Sequence, residues 1–253
     1  MNIPPISLQL YSLRETAKDD LPGVLKQVAG MGYVGIEFAG LYGHSPADVR
    51  AMMDDCGLVT SSVHGPMPTP ENKAEIVDTA HTLGYTRHVA GFGPPQFRTR
   101  ESTLEAAAIA QRAAEVLADT DVTFGLHNHD FEFTAQFNGH YAHDIMLANA
   151  PGAFAEVDTY WVQVGGADVC AVLQKLGARA PLLHIKDGPG TREQAMTAVG
   201  QGVMDWDAIM KARWEGTEWL IVELDRCDTD MFEAVAESCR YLVGNGYGRG
   251  RQA

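Results

Sequence analysis

The sequence has 253 residues, of which 45% are hydrophobic and 21% are charged, a composition typical of a globular protein with a substantial core. With 19 Lys and Arg against 33 Asp and Glu, the formal net charge is −14, so most of the surface would repel a phosphate backbone. We therefore expect no nucleic-acid partner. Because no apolar run is long enough to span a bilayer, we expect no membrane partner either.

Residues 1–6 lack the basic and apolar segments of a secretory signal. The cysteines are scattered, without a Cys-x-x-Cys pair, and are expected to be reduced structural thiols. Together these features predict a cytoplasmic protein. No linker rich in Pro, Gly or Ser divides the chain, so we expect one domain over residues 1–253, in which residues 245–253 form a flexible carboxyl-terminal tail.

Short apolar runs predict strands that start, in chain order, near Ile6, Tyr33, Val59, Arg87, Val122, Phe154, Leu182 and Trp219. The interval from each start to the next accommodates one strand, one helix and two turns. Helix-boundary residues lie in these intervals: Ser45 and Pro46 begin a helix that Gly57 ends, and Asp205 caps another. Continuous apolar strands alternating with helices are typical of parallel sheets buried on both faces. Eight such units predict the α/β class and a single closed (β/α)8 TIM barrel.

Ionisable side chains stand at or just after the ends of most predicted strands. They are Glu37, His64, His127, His129, Glu132, Asp158, His184, Lys186, Glu223 and Asp225. The carboxyl ends of the strands of a parallel barrel meet on one face, which carries the chemistry. Unpaired charge near a core is costly, so a barrel that served stability alone would have little reason to place these groups there. The pattern predicts one polar site at the mouth of the barrel.

The carboxylates of Glu132, Asp158 and Glu223, with the imidazole of His184, would form a mostly oxygen site with one nitrogen. Such donors suit a single divalent ion, Mn²⁺ before Mg²⁺ or Co²⁺. The ion would orient a hydroxy-carbonyl substrate and stabilise an enediolate oxygen, while a nearby carboxylate removes a proton from the carbon beside the carbonyl. The structural alternative is a solvated acidic rim, which Lys186 and Arg226 would stabilise.

Several segments carry a family resemblance. They are residues 124–133, with the sequence Phe-Gly-Leu-His-Asn-His-Asp-Phe-Glu-Phe, and residues 156–161, 183–187, 199–206 and 221–225. In this order they resemble the xylose isomerase-like barrel superfamily, and more narrowly the proteins described as sugar phosphate isomerase/epimerase. The resemblance implies a divalent metal held by Asp158, His184, Glu223 and one residue of the fifth strand. We assign that last position to Glu132, with His127 or His129 as the alternative.

The remaining site residues receive roles with their alternatives stated. The predicted catalytic residues are Glu132, Glu223, His129 and Lys186, and the predicted substrate-binding residues are His64, His127, Trp161 and Glu37. His64 resembles a third-strand histidine that approaches substrate in relatives, although a structural histidine is an equal alternative. Lys186 would neutralise a developing oxyanion or form an ion pair. Glu37 would reach the pocket or pair with a neighbouring base. Trp161 would supply an apolar wall for a sugar, although an aromatic side chain at a barrel rim is more often packing.

The resemblance and the strand-end residues favour a metal-dependent enzyme that isomerises or epimerises a small sugar or cyclitol by proton abstraction beside a carbonyl. A close rival keeps the same site and ends in elimination, as a lyase or dehydratase of keto-inositols or 3-keto-glycosides. In that reaction His127 and His129 would supply the general acid for the leaving oxygen. No glycine-rich phosphate-binding loop with its lysine is present, so the sequence does not predict a phosphorylated substrate.

Two further hypotheses come from other classes of protein. A DNA-repair nuclease of the related barrel type would need several zinc ions and a basic groove, which the negative net charge opposes. A non-catalytic sugar-binding barrel would bind ligand unchanged after Glu223→Gln. We also expect a homo-oligomer to be possible, because barrels of the resembling group often pair.

Overall fold

A computed structural model describes residues 2–251 of the chain. Its parallel strands form a closed barrel in the order β1-β10-β9-β8-β5-β4-β3-β2, and β6 and β7 form a separate antiparallel pair. The strands are β1 (Ile6–Gln9), β2 (Gly35–Ala39), β3 (Val59–His64), β4 (Arg87–Ala90), β5 (Thr123–His127), β6 (Gln136–Phe137), β7 (His140–Tyr141), β8 (Phe154–Asp158), β9 (Leu182–Ile185) and β10 (Trp219–Val222). The predicted (β/α)8 barrel is therefore confirmed.

Helices surround the barrel and connect its strands. They are α1 (Arg14–Ala17), α2 (Leu21–Gly30), α3 (Pro46–Cys56), α4 (Lys73–Leu83), α5 (Arg100–Leu117), α6 (Phe131–Thr134), α7 (Ala142–Asn149), α8 (Thr159–Val164), α9 (Val169–Leu176), α10 (Trp206–Ala212) and α11 (Met231–Gly244), with 3-10 turns at Leu10–Leu13, Pro94–Phe97 and Gly177–Arg179. The predicted caps are confirmed. Ser45 Oγ accepts a hydrogen bond from the Asp48 amide at the start of α3, and Gly57 ends that helix at φ 61°.

An apolar floor closes the amino-terminal end of the barrel interior. Val89, Phe154, Leu182 and Ile221 pack there as a buried cluster, with Trp219 against it. Gly125 makes room for this packing, because a Cβ atom on Gly125 would overlap the ring of Phe154. The floor keeps water out from below, so polar groups in the layer above it must find partners within the protein.

Strand register places the polar side chains together above that floor. Asp158 pairs with His184 across β8 and β9, and His127 pairs with Glu156 across β5 and β8. Side chains alternate along a strand, so Glu156 and Asp158 point to the same face as Phe154, which is the barrel interior. The register therefore stacks an ionisable layer directly on the apolar floor.

The carboxyl-terminal segment packs against the amino-terminal end of the barrel. The amide of Arg249 donates to the Pro4 carbonyl at 2.8 Å, and the amide of Ile6 donates to the Arg249 carbonyl at 3.1 Å. The amide of Arg251 also donates to the Gly32 carbonyl at 2.8 Å. These contacts are at odds with the predicted flexible tail as far as residue 251, while residues 252–253 lie outside the described part of the chain.

The four cysteines of the chain form no disulfide with one another. Cys56, Cys170, Cys227 and Cys239 are free thiols, of which Cys239 is buried. Within residues 2–251, no helix combines the length and apolar character that a membrane crossing needs.

We predict that Gly125→Ala destabilises the barrel by about 1–3 kcal/mol, because the added methyl group must displace the buried Phe154 ring. Gly30→Ala is the matched control: a Cβ atom there meets nothing within 4 Å, and alanine is the better helix former. Urea unfolding of both variants measures the difference. Equal stability of the two variants would show that the floor is not tightly packed.

Candidate active site

Residues from four neighbouring strands meet at the carboxyl end of the barrel. The outer group consists of His127, Asp158, His184 and Glu223, and one ligand atom from each lies within 4.8 Å of the others. His184 Nδ1 is 2.9 Å from Glu223 Oε2, and His127 Nε2 is 3.8 Å from Asp158 Oδ2. Three of the four predicted metal ligands are thus together, and His127 takes the fourth place.

A second layer lies on the floor side of these residues. The inner group consists of His64, His127, Glu156 and His184, again with one ligand atom each within 4.8 Å. Glu156 Oε2 is the common point, at 2.5 Å from His64 Nε2, 3.0 Å from His127 Nδ1 and 3.2 Å from His184 Nε2. His127 and His184 therefore belong to both groups, with one ring nitrogen turned to each.

Lys186 supplies the positive charge that the outer group needs. Its Nζ lies 2.7 Å from Glu223 Oε2, 2.9 Å from Asp225 Oδ2 and 3.0 Å from Asp158 Oδ2. Burial alone would lower the pKa of Lys186, but these carboxylates outweigh burial and raise that pKa well above its usual range. The ammonium therefore stays charged at neutral pH.

The pKa values of Asp158 in the outer group and of Glu156 in the inner group are shifted in opposite directions. Burial raises the pKa of Asp158 to about 6, although Lys186 and His184 oppose the shift. Burial also acts to raise the pKa of Glu156, but the neighbouring imidazoles of His184 and His64 hold it well below its usual range. A cation beside Asp158 would favour its ionised form, so the outer layer is the one that gains from added positive charge.

Glu132 lies in neither group. It is buried in the one-turn helix α6, and its Oε2 accepts a hydrogen bond from the His129 amide at 2.9 Å. Burial raises its pKa well above the usual range. The chain turns into a helix after β5 instead of extending, and a glutamate in a first helical turn commonly reaches back to a backbone amide. This local geometry is why the structure does not bring Glu132 to Asp158 and Glu223.

The other predicted residues divide between the cavity and the buried layers. The cavity measures about 240 Å³ and is lined by Gln9, Tyr11, Ala39, His64, Gly91, His127, His129, Lys186, Glu223 and Asp225. Glu37, predicted to bind substrate, has 0% of its surface exposed, and its Oε1 lies 2.6 Å from His184 Nε2. Trp161 is also buried, with Lys186 Nζ 5.5 Å from its ring centroid.

His129 lines the cavity but belongs to neither the inner nor the outer group. Burial lowers its pKa to about 4, and Lys186 adds to the shift. Its Nδ1 is buried without a hydrogen-bond partner in the structure. At neutral pH the ring is uncharged and able to accept a proton.

Sequence reasoning missed the central position of Glu156. The signal was present, because Glu156 lies two residues before Asp158 and must share its face of β8. Gln9, at the end of β1, was not among the predicted site residues, and its Nε2 donates to Glu37 Oε1 at 2.7 Å. A single sequence does not reveal that these two residues lie beneath the predicted site.

The outer group suits a divalent metal ion. Asp158 Oδ2 is buried without a hydrogen bond of good geometry and lies 3.0 Å from Lys186 Nζ, so this oxygen already faces a cation. Carboxylate oxygens and imidazole nitrogens are ligands that Mn²⁺, Co²⁺ and Zn²⁺ accept. If His127 replaces Glu132, the donor set contains two nitrogens, and Mg²⁺ becomes a poorer fit than the sequence alone indicated.

The fold and this cluster define a parallel (β/α)8 barrel with a metal-site-like group at its mouth. The sequence model of the xylose isomerase-like TIM barrel family matches residues 25–243. The chain belongs to this family, as the resemblance of its strand-end motifs predicted. A search among curated proteins finds no match.

Solved structures with the same fold include enzymes of more than one type. A sugar phosphate isomerase/epimerase from Parabacteroides distasonis ATCC 8503 is 26% identical, with a TM-score of 0.80 over 96% of each chain. The probable 3-DHS dehydratase AsbF from Bacillus anthracis is 12% identical, with a TM-score of 0.75 over 94% of this chain and 98% of its own. IOLI protein, which binds a zinc atom, is 14% identical, with a TM-score of 0.73 over 96% and 98%.

We predict that His127→Ala weakens divalent-metal binding by at least about 100-fold, because it removes a nitrogen of the outer group. Glu132→Gln should change the affinity by less than about threefold, since its carboxyl group bonds a backbone amide. Competition with a fluorescent chelator measures both constants. The reverse order of effects would return the fifth-strand ligand to Glu132.

Proposed function

We propose that this chain is a divalent-metal-dependent isomerase or epimerase of a small keto- or aldo-sugar or cyclitol, acting by proton abstraction next to a carbonyl. The observation that carries the proposal is that two residues of the outer group, His127 and Glu223, line one cavity together with His129 and Lys186. The similar isomerase/epimerase structure supports the reaction class. The ion is proposed to be Mn²⁺, with Co²⁺ next and Mg²⁺ less favoured.

The residues around the cavity divide the work of proton transfer. When bound, the divalent ion would supply positive charge for the substrate oxygens. Burial lowers the pKa of His129 to about 4, so its ring is neutral and a weak base at pH 7, which suits it to relay a proton rather than to hold one. Lys186 keeps its proton and stabilises negative charge on an oxygen that develops beside it. Glu223, which contacts Lys186, places a carboxylate on the cavity wall.

The size of the cavity limits the substrate. About 240 Å³ is below the range of 300–1,000 Å³ that is common for drug-sized ligands. A single sugar ring or a cyclitol suits this volume better than an oligosaccharide. The aromatic ring of Tyr11, which is 41% exposed, lies among the lining residues and offers an apolar face to such a ring.

The charge of the cavity favours an uncharged substrate. Among the lining residues that the structure describes, Lys186 is the one Lys or Arg side chain, and three carboxylates already surround it. Arg14, which stacks on Tyr11, donates to the carbonyl of Tyr11 at 2.7 Å and to that of Asp225 at 3.1 Å. No free cation of this wall is left to bind a phosphate group.

Elimination is the second candidate function, and the unpartnered His129 Nδ1 is the observation that favours it. A leaving hydroxyl or glycosidic oxygen needs a general acid. His129 is uncharged at pH 7, so in this reaction it would first take the proton from the substrate carbon and then donate that proton to the leaving oxygen. In this version the enzyme is a lyase or dehydratase of a keto-inositol or 3-keto-glycoside. The similarity to a probable dehydratase is compatible with this chemistry.

Proton abstraction predicts solvent exchange. In D₂O, the metal-replete enzyme with its ketose substrate should place deuterium on the carbon beside the carbonyl, and treatment with a chelator should abolish the exchange. Mass spectrometry and proton NMR of a panel of keto-sugars and cyclitols measure both. Loss of water or of an aglycone would select the elimination reaction, and a metal-replete enzyme that exchanges no proton with any ketose would contradict the proposal.

An uncharged substrate predicts discrimination against phosphate esters. For any sugar that is turned over, the matching phosphorylated sugar should have a kcat/KM lower by about tenfold or more, because its charge meets a carboxylate-rich wall. Steady-state kinetics at two salt concentrations measure the ratio. A preference for the phosphorylated sugar would show that a cation of the wall becomes free when substrate binds.

A further inference from the structure

The two imidazoles that the inner and outer groups share are held at both ring nitrogens. His184 Nδ1 lies 2.9 Å from Glu223 Oε2 in the outer group, and its Nε2 lies 2.6 Å from Glu37 Oε1 on the floor side. His127 has the opposite orientation: Nδ1 lies 3.0 Å from Glu156 Oε2, and Nε2 points towards Asp158. Each ring therefore spans the two layers.

A neutral imidazole has one N–H donor and one nitrogen lone pair, so the partner of one nitrogen decides what the other can do. A carboxylate beneath the ring accepts the N–H and leaves the upper nitrogen as a lone pair. Glu37 stands in this position for His184, and Glu156 for His127. The two glutamates are fully buried, which keeps them from reaching the cavity themselves.

We propose that Glu37 and Glu156 are positioning residues, which fix the tautomers of His184 and His127 so that His184 Nδ1 and His127 Nε2 face a single divalent ion. This inference rests on the proposed metal site and gives Glu37 a role other than the substrate contact predicted from sequence. It also assigns a role to Glu156, which was not among the predicted site residues.

Side chains from neighbouring strands hold the carboxylates of Glu37 and Glu156 in place. Gln9 Nε2 donates to Glu37 Oε1 at 2.7 Å, and Ser62 Oγ donates to Glu37 Oε2. His64 Nε2 contacts Glu156 Oε2 at 2.5 Å. A hydrogen-bonded frame from β1, β2 and β3 thus reaches across the barrel interior to the ligand histidines.

The inner group could also be imagined as a second metal site, since its donors converge as closely as those of the outer group. Ions in both groups would require His127 and His184 to bind metal through both nitrogens, and each ring would then have to lose both protons. The inner distances of 2.5–3.2 Å are those of hydrogen bonds. Because the two groups share both rings, one ion binds per chain. We place it in the outer group, whose carboxylate Glu223 lines the cavity, and the protons in the inner layer.

The test measures metal affinity and stoichiometry for four proteins loaded with Zn²⁺ or Co²⁺: wild type, Glu37→Gln, Glu156→Gln and the control Glu132→Gln. The control removes another buried glutamate that contacts no imidazole. We expect one ion per wild-type chain, and affinities lowered by about 10- to 100-fold in the first two variants but by less than about threefold in the control. The visible spectrum of bound Co²⁺ should change in the first two variants alone.

A measurement on the unaltered protein covers the case in which a variant does not fold. Long-range proton–nitrogen NMR of the Zn²⁺-loaded wild type should show the proton of His184 on Nε2 and that of His127 on Nδ1. The opposite tautomer at either ring, two ions per chain, or unchanged affinity in both variants would overturn the inference while the metal site stands. A wild-type protein that binds no ion would overturn the proposed function as well.

Discussion

The centre of this barrel depends on a nitrogen of His184 or Lys186 lying beside each fully buried carboxylate. The carboxylates of Glu37, Glu156 and Asp158 are 0% exposed, and isolated charges at that depth would be prohibitively unfavourable. They are tolerated because His184 and Lys186 lie within contact distance, so that each carboxylate faces a nitrogen. Replacing a single member would leave its partner buried and uncompensated, which costs more than the pair itself contributes.

The barrel supplies the geometry that this compensation needs. Parallel register sets Asp158 beside His184 and Glu156 beside His127, and the two-residue period of a strand separates the inner layer from the outer. The apolar floor beneath leaves no water to solvate these groups from below. Three of the four proposed ligand residues lie within strands and Glu223 directly follows β10, so the barrel fixes their positions, which is the condition for a preorganised site.

Sequence alone predicted the barrel, its strand starts and much of its capping, because periodicity and boundary residues are local signals. Asp158, His184 and Glu223 were placed together for the same reason, since each lies at or just after the carboxyl end of a barrel strand. The prediction for Glu132 depended on the path of the chain after β5, and the turn into α6 carries its side chain to the His129 amide. Glu37 looked like a cavity residue, but its depth depends on contacts with Gln9 and His184 that join distant strands.

The most direct test of the account is a crystal structure of the Mn²⁺-loaded protein, with the ion located by anomalous scattering. The account predicts one anomalous peak per chain, at roughly 2.0–2.3 Å from donor atoms of His127, Asp158, His184 and Glu223. A peak bonded to Glu132, a peak bonded to His64 or Glu156, or a loaded crystal with no ion at the mouth of the barrel would contradict it.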